Sequence, residues 1–480
     1  MSNDITRLLS IQDADIKVIS IVERSGIRTI TIEKKSGIHF CNLCGCRMYS
    51  KGIYKRTVNH PVMQDGLQLK ISIRQRRWRC INPDCRHTET DEFSFVEPRR
   101  RNTNISDLLI VNAFRNPAYS AREIARRHGV SDTHAITTFA RYVDMPRRQL
   151  TEAISVDEVH LNISKVCNYA LVIQDFATGE PIDMIINRRE EITEPYFASI
   201  PIGERRNVKY LITDMYRPYL SYVDKYFPNA INVVDAFHVI KHINNEFHAY
   251  IRSVIRKLNA EDHARHEKRQ QEFHRTLPFH HSRDYYVLKK YNWILLKNKD
   301  DIRYSTKPRF DKRLNRLMTT YDYEEWVLSL DNSFSERRKL KEKYIQFNKR
   351  YAGNPNAARD GLREIICLYR NSKYKMFRDI ADTLQDFFEP IANSFIMTKR
   401  MSKNGVQYES RLSNGPMESL NRIPKDMKRN GRGYLNFYHL RNRFLFSQRK
   451  NAAILAIPKP LKEVLALNHA SGIKAGDENE

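Results

Sequence analysis

The sequence predicts a multidomain α/β protein: a strand-rich module stapled by cysteines, a helical pair, and a mixed sheet interrupted by a long helical stretch before it is completed near the C-terminus. Three observations carry this. Cysteines gather in a C-x2-C and a C-x4-C pair within the first hundred residues, and from residue 151 strand-like runs give way to alternating helices and strands. An acidic segment also lies inside a basic chain: residues 151–240 hold 8 Lys and Arg against 13 Asp and Glu, while the 480 residues together carry a net charge of +26.

Residues 1–97 open on two alternating runs, IKVISIVE and IRTITIEK, joined by Ser-Gly, which predict a β-hairpin. CNLC and CINPDC follow. Cys41 and Cys44, with Cys80 and Cys85, are two hooks able to close a tetrahedral structural Zn²⁺ site, and Cys46 and His87 are rivals for one position. Clustering of this kind argues against a disulfide framework. The isolated Cys167 and Cys367 read as inert core residues. In RQRRWRC, Arg74, Arg76, Arg77 and Arg79 are expected to form a phosphate-contacting edge, with Trp78 packed on the zinc module.

Residues 98–150 read as a helix-turn-helix DNA-binding domain. In SAREIARRHG, Ile124 and Ala125 face inward, Gly129 supplies the turn, Val130 plugs the angle, and Ser131 or Asp132 caps DTHAITTFARYV. That second helix is expected to present Thr133, His134, Thr137 and Arg141 to a major groove.

Residues 151–245 contain AISVDEVHL, NYALVIQDF and PIDMIINRR as successive strands, the last two joined through Thr178, Gly179 and Glu180. EPYFASI (helix), VKYLITDMY (strand), RPYLSYVDKYF (helix) and AINVVDAF (strand) follow. Three antiparallel strands followed by alternating helix and parallel strand is the ribonuclease-H-like order. It brings Asp157, at the first strand's end, beside Asp214, at the fourth's. Residues 246–410 are charged and helix-patterned, an all-α insertion domain ending in a flexible KNGVQYES. The core resumes over 411–470 at NGPMESLNR with basic helices, and 471–480 reads as a disordered tail. Trp293 and Trp326 are expected in the insertion's core, with base stacking the lesser alternative.

The charge points to a polyanionic partner, nucleic acid first, because each cation meeting a phosphate releases a counterion. Carboxylates inside such a protein repel DNA unless metal intervenes. Asp157, Asp214 and Glu418 are therefore the candidate ligands of two Mg²⁺ (or Mn²⁺) ions for phosphodiester chemistry, with Glu158, Asp175, Asp235 and Glu409 as alternatives. Helix capping is the competing role for Asp214 and Asp235. No apolar run of about 18 residues and no signal-peptide pattern occurs, so a soluble cytoplasmic protein without membrane partners is expected.

End to end, the chain resembles the ISL-three family of bacterial insertion-sequence transposases. CNLC and CINPDC resemble its zinc module, SAREIARRHGVSDTHAITTFARYV its helix-turn-helix, and SVDEVH, LITDMY and SNGPMESLNR its DDE motifs. The resemblance implies a DNA transposase that binds terminal inverted repeats and catalyses metal-dependent cleavage and strand transfer, with Asp157, Asp214 and Glu418 as the catalytic triad. VVDAFH matches an Asp-x-x-His motif, which implies supporting roles for Asp235 and His238. NRIPK departs from the pattern: Pro424 replaces an aliphatic residue and is expected to bend the helix beyond Glu418. Arg422, Lys425, Lys428, Arg429, Arg432, Arg441 and Arg443 follow the glutamate and are expected to hold DNA. The expected partners are double-stranded DNA, as terminal repeats and target, and further copies of the chain in a homodimer or larger assembly on the bacterial nucleoid. A transposase-derived DNA-binding regulator and a structure-specific nuclease of the same fold are the competing readings; metal-dependent nicking and joining discriminate them.

Overall fold

The computed structural model describes residues 9, 11, 13, 15–60, 66–163, 168–402, 404–431, 434 and 436–464. Cys167, Arg432 and the 471–480 tail lie outside the described residues. The first sheet comprises β1 (Ile16–Arg24), β2 (Ile27–Lys34), β3 (His39–Phe40), β4 (Arg47–Asn59), β5 (Gln68–Cys80) and β6 (Thr88–Thr90), in the order β1-β2-β5-β4-β3 with β6 on β5. Ser25 and Gly26 both have positive φ, 50° and 76°, which matches the right-handed twist of the β1–β2 hairpin they connect. The alternation of Leu69, Ile71 and Ile73 along β5 buries them against Ile30, Ile32, Val58 and Phe93. RQRRWRC therefore does not form an edge: β5 is paired on both sides, by β4 along its length and by β2 and then β6 opposite. Within RQRRWRC the covering strand is β6, three residues long and antiparallel to Arg77–Arg79, while β2 reaches only to Arg74, and so short a strand leaves little signal in the local pattern.

Three helices follow, α1 (Asn104–Ala113), α2 (Ala121–His128) and α3 (Asp132–Tyr142). Ser120 caps α2 by accepting from Glu123 N, and Ser131 caps α3 by accepting from His134 N. Gly129 ends α2 at φ 63°, a left-handed turn that favours glycine, and the end of the Gln68 side chain from β5 occupies the space a Cβ would take. Ile110, Phe114, Ile124 and Phe139 share one apolar core with the second sheet and the C-terminal helices.

The second sheet runs β11-β10-β7-β8-β9, from β7 (Ala153–His160), β8 (Tyr169–Asp175), β9 (Pro181–Ile185), β10 (Tyr210–Thr213) and β11 (Ile231–Val234). β7, β8 and β9 pair antiparallel, while β10 lies parallel to both β7 and β11. The helices α4 (Glu190–Ala198), α5 (Ile202–Arg206) and α6 (Arg217–Tyr226) fall between β9 and β11, so the element order is the expected one. One detail differs. Asp157 lies within β7, not at its end; it stands two residues past Ser155, the last residue that β10 pairs, and β8 carries the strand on to His160.

The insertion begins with α7 (Ala236–Phe273), 38 residues long, and continues through α8 (Arg283–Tyr291), α9 (Trp293–Leu296), α10 (Thr320–Ser329), α11 (Asn332–Arg350), α12 (Pro355–Arg370), α13 (Lys375–Asp386) and α14 (Phe388–Asn393). It is not all-α. β12 (Arg309–Asp311) pairs with β13 (Arg316–Met318), and β14 (Met397–Met401) with β15 (Gln407–Arg411). KNGVQYES thus contributes a hairpin turn and a strand, and Met401 N donates to Ala177 O at 2.8 Å to seat that hairpin against the β8–β9 turn. β12 and β13 are only three residues long, and β14 and β15 are largely exposed, so none of them shows the run of alternation that reveals a half-buried strand. Cys367, expected in a core, is exposed on α12.

The chain closes with α15 (Gly415–Asn430) and α16 (Phe437–Gln448). Pro424 does not break α15, which runs through it with the ring buried. No helix among the described residues is long and apolar enough to cross a membrane.

Candidate active site and metal-binding groups

Strand parity selects which acids meet. Ile154, Val156 and Glu158 point to one face of β7, while Ser155, Asp157 and Val159 point to the other. On the first face Glu158 is consumed by protein contacts: Tyr219 donates its hydroxyl at 2.5 Å and Arg188 pairs with it. On the second face lies α15, whose Asn414, Glu418 and Asn421 recur at helical spacing and form one stripe. Asn421 Nδ2 donates to Asp157 Oδ2 at 2.8 Å, and Asn414 Nδ2 donates to Asp214 Oδ1 at 2.7 Å. His238, in the first turn of α7, places Nε2 3.0 Å from Asp214 Oδ1 and 3.6 Å from Glu418 Oε1. Asp157, Asp214, Glu418 and His238 thus converge from β7, the end of β10, α15 and α7.

Asp235 holds these elements together. Its carboxylate accepts from Phe237 N at 2.9 Å, capping α7, and from Asn414 N at 2.8 Å, at the start of α15. Two helix N-termini, each a partial positive charge, are thereby fixed beside the acids. Of the remaining alternatives, Asp175 is spent on the turn into β9, accepting from Thr178 N and Thr151 Oγ1, and Glu409 is exposed on the β14–β15 hairpin. Asn414 and Asn421 were not singled out from sequence, although their spacing to Glu418 was legible there.

The site carries uncompensated negative charge. Burial, followed by the neighbouring Asp214 carboxylate, pushes the Asp157 carboxyl up to about 7. Burial opposes charge on His238, yet the hydrogen bond it donates to Asp214 and the surrounding acids hold its pKa above the ordinary value. Among the described residues the three carboxylates do not form a set whose oxygens all lie within 4.8 Å of one another. Hard oxygen donors with excess negative charge are nonetheless the donor chemistry that a divalent cation requires. Asn414 Oδ1 and Asn421 Oδ1 are buried without a hydrogen-bond partner among the described residues, which leaves each amide with unused acceptor capacity.

A sign follows for stability. A carboxyl whose pKa rises on folding contributes stability that is present below about pH 4 and lost as pH climbs through about 7. In buffer without divalent cation, Asp157→Asn is therefore expected to stabilise the fold at pH 8 by up to about 4 kcal/mol, and by almost nothing at pH 4. Thermal unfolding of both proteins across that range checks this; equal midpoints at pH 8 would contradict it.

A second group lies in the first sheet. The Sγ atoms of Cys41, Cys44, Cys80 and Cys85 all lie within 4.8 Å of one another, with Cys41–Cys85 at 3.7 Å and Cys44–Cys80 at 3.4 Å. Zn–S bonds of about 2.3 Å imply tetrahedral edges of about 3.8 Å, so the four sulfurs are spaced for that ion. Gly45 at φ 71° and Arg86 at φ 48° close the two knuckles, with Gly45 N donating to Cys41 O and Arg86 N to Asn82 O. Cys46 and His87 stand outside the tetrad. His87 Nε2 lies 3.4 Å from Glu89, which also accepts from Asn42 N at 3.1 Å and so ties the first knuckle to β6. Trp78 packs on Cys41 and Cys80 as expected, with its ring stacked on His39.

The basic residues divide sharply. Thr133 is exposed and Thr137 half-buried on the outer side of α3, but His134 turns inward, its Nε2 2.6 Å from Asn102 Nδ2, and Arg141 is buried with Nε donating to Lys459 O at 3.0 Å. Arg74 and Arg76 pair with Glu33 at 2.9 and 2.6 Å, while Arg77 and Arg79 are half-buried. Arg422 and Lys425 are exposed on α15, as is Arg429, which pairs with Asp426 at 2.9 Å. Lys428 instead donates to the carbonyls of Leu161 and Asn162. Arg441 pairs with Asp183, and Arg443 is fully buried beneath Tyr119 O and Tyr434. Charge at helical spacing does not reveal which cations the packing will consume.

A family model for ISL-three DDE transposases, described as Transposase, matches residues 154–444, the span that contains the second sheet, the insertion and α15. Among curated proteins, the transposase for insertion sequence element IS1001 of Bordetella parapertussis is 23% identical over 306 residues, which cover 61% of this chain and 68% of that protein.

Proposed function

This chain belongs to the ISL-three family of transposases, a family of DNA-processing enzymes, and on that premise we propose that it binds the terminal inverted repeats of its element and carries out cleavage and strand transfer at the Asp157–Asp214–Glu418 site. The observation that carries this reading is the stripe on α15: a single helix face brings Glu418 to the site while its two asparagines hydrogen-bond the two aspartates. Asp157, Asp214 and Glu418 would hold two Mg²⁺ or Mn²⁺ ions, which when bound supply Lewis acidity to the attacking oxygen and offset charge on the leaving one. Asn421 fixes the rotamer of Asp157 and Asn414 that of Asp214. His238 donates toward Asp214 and Glu418 and keeps them from repelling each other apart. Asp235 acts at one remove, by holding the α7 and α15 N-termini in register.

The four cysteines would hold one structural Zn²⁺, which fixes the loops that flank β4 and β5. Residues 98–150 are the proposed helix-turn-helix domain, with Thr133 and Thr137 facing a major groove, and the remaining boundaries follow the cysteine module through residue 97, the catalytic core over 151–245 and 411–470, and the insertion over 246–410. Arg422, Lys425 and Arg429 are the α15 cations open to phosphate. Two ends must be processed together, so the assembly is a homodimer or larger on double-stranded DNA.

The deciding experiment is incubation of the full chain with a labelled duplex carrying the element's end, with and without Mg²⁺. Metal-dependent nicking followed by joining to a second duplex is expected; nicking that never proceeds to joining would instead favour a nuclease. Asn421→Ala is expected to lower metal affinity or turnover by about 10- to 100-fold, the usual effect of removing a partner that orients a ligand. A Mg²⁺ titration of nicking reads it, and an unchanged half-saturation point and rate would remove Asn421 from the site.

A further inference from the structure

The helical insertion contains a cleft that the catalytic reading does not use. It measures about 650 Å³ and lies between the β12–β13 hairpin and helices α8, α9 and α10. Its walls are aromatic. Tyr291 and Tyr323 stack at a centroid distance of 3.6 Å, and Trp293, 40% exposed, stands at the rim opposite Phe310, 57% exposed on β12. Phe310 is paired in register with Leu317, which is 60% exposed, so the hairpin presents a naked apolar face.

Around that face the charge is one-sided. The hairpin and its approach carry Lys307, Arg309, Lys312 and Arg313, and none of the four has an ion-pairing carboxylate among the described residues. The single acid of the hairpin, Asp311, is buried and saturated. Tyr286, Tyr291 and Tyr323 donate their hydroxyls to its Oδ2 at 3.0, 3.3 and 2.9 Å, and Arg313 N and Leu314 N donate to its Oδ1. Its charge therefore anchors the rings by their edges and pairs with Lys290 at 3.9 Å, but not with the four cations of the hairpin and its approach. The floor is rigid as well: Lys341, fully buried, donates to the carbonyls of Leu295, Leu296 and Lys297 and so locks the short helix that carries Trp293.

Exposed flat rings such as Trp293 and Phe310, set beside a tethered tyrosine wall and among cations, are what stacked bases and a phosphate backbone require. The volume lies within the roughly 300–1,000 Å³ typical of sites for single organic groups, so a nucleotide enters and a duplex does not. A membrane surface would also attract cations and apolar groups, but it calls for projecting aliphatic side chains and not a concave wall of tethered tyrosines. We propose that this cleft binds unpaired DNA, stacking bases on Trp293 and Phe310 and holding phosphates with Lys307, Arg309, Lys312 and Arg313. The inference does not depend on the catalytic assignment, since Asp157→Asn should leave it intact.

The test uses the full chain without divalent cation and a labelled oligo(dT) of about twenty nucleotides, compared with a duplex of equal length, by fluorescence anisotropy. Trp293→Ala with Phe310→Ala is expected to weaken single-strand binding by at least about tenfold, given about 1–3 kcal/mol per stacked base, and to change duplex binding less than about twofold. Lys312→Glu, on an exposed turn remote from the core, is expected to weaken single-strand binding and reduce the log-log salt slope by about 0.7. Quenching of tryptophan fluorescence by oligo(dT) should vanish in Trp293→Phe, which keeps an aromatic ring and tests the contact without emptying the site. The proposal is overturned if the double variant binds oligo(dT) like the parent, if single-strand and duplex binding fall together, or if the variants lose affinity only for phosphatidylserine vesicles.

Discussion

Replacing Asp157 with asparagine is expected to depress DNA cleavage and strand transfer together by on the order of 10³-fold or more, while terminal-repeat binding stays within about twofold of the parent. The substitution keeps the shape and the hydrogen bond from Asn421 but removes the charge that a divalent cation needs. What is lost is cation binding and the charge stabilisation it would supply in the transition state, so the effect falls on rate and not on affinity for DNA. The same change should raise stability at pH 8 without added cation, because it removes the burial and like-charge penalty on this carboxyl. Loss of activity with a gain in stability separates a ligand from a structural residue. Full strand transfer by the variant would refute the assignment.

Removing zinc is the other large effect. Structural Zn²⁺ contributes about 10–16 kcal/mol of apparent binding energy in small cysteine modules, far more than the short strands β3 and β6 can supply on their own. Cys80→Ser is expected to abolish bound zinc, open residues 39–90 to protease and abolish repeat binding. The catalytic sheet has its own apolar cores and is expected to stay protease-resistant. Metal analysis and limited proteolysis read the two halves of this expectation. One zinc per chain retained in the variant, with unchanged digestion, would show that the tetrad is not the site.

Much of this arrangement was legible because it rests on period-two and period-3.6 patterns. The order of β7 to β11, the turn at Gly129 with the Ser131 cap after it, and the approach of Asp157 to Asp214 that this order brings about were readable from local patterns. What escaped the sequence depends on partners far away in the chain. The basic end of β5 reads as an edge until β2 is seen to cover it up to Arg74 and β6 from Arg77 to Arg79, and Arg443 reads as a DNA-binding residue until α16 buries it under Tyr119 O. The hairpins of the insertion escaped because strands of three to five residues such as RFD and QYESR are too short or too exposed to show a period-two pattern. Asn414 and Asn421 were overlooked for a different reason: attention to charged residues passes over neutral amides that do their work by orienting acids.

Helix α7 joins the acids to the insertion without a break. At 1.5 Å per residue its 38 residues span roughly 57 Å, with His238 in the opening turn and Ile243, Phe247, Ile251 and Val254 packed into the core of the helical lobe. Such a rod has no hinge along its length, so whatever tilts the distal lobe when a strand is captured there is felt as torque at the imidazole. Engagement at one extremity and readiness at the other become a single mechanical variable, which a pair of glycines placed midway along the rod would uncouple.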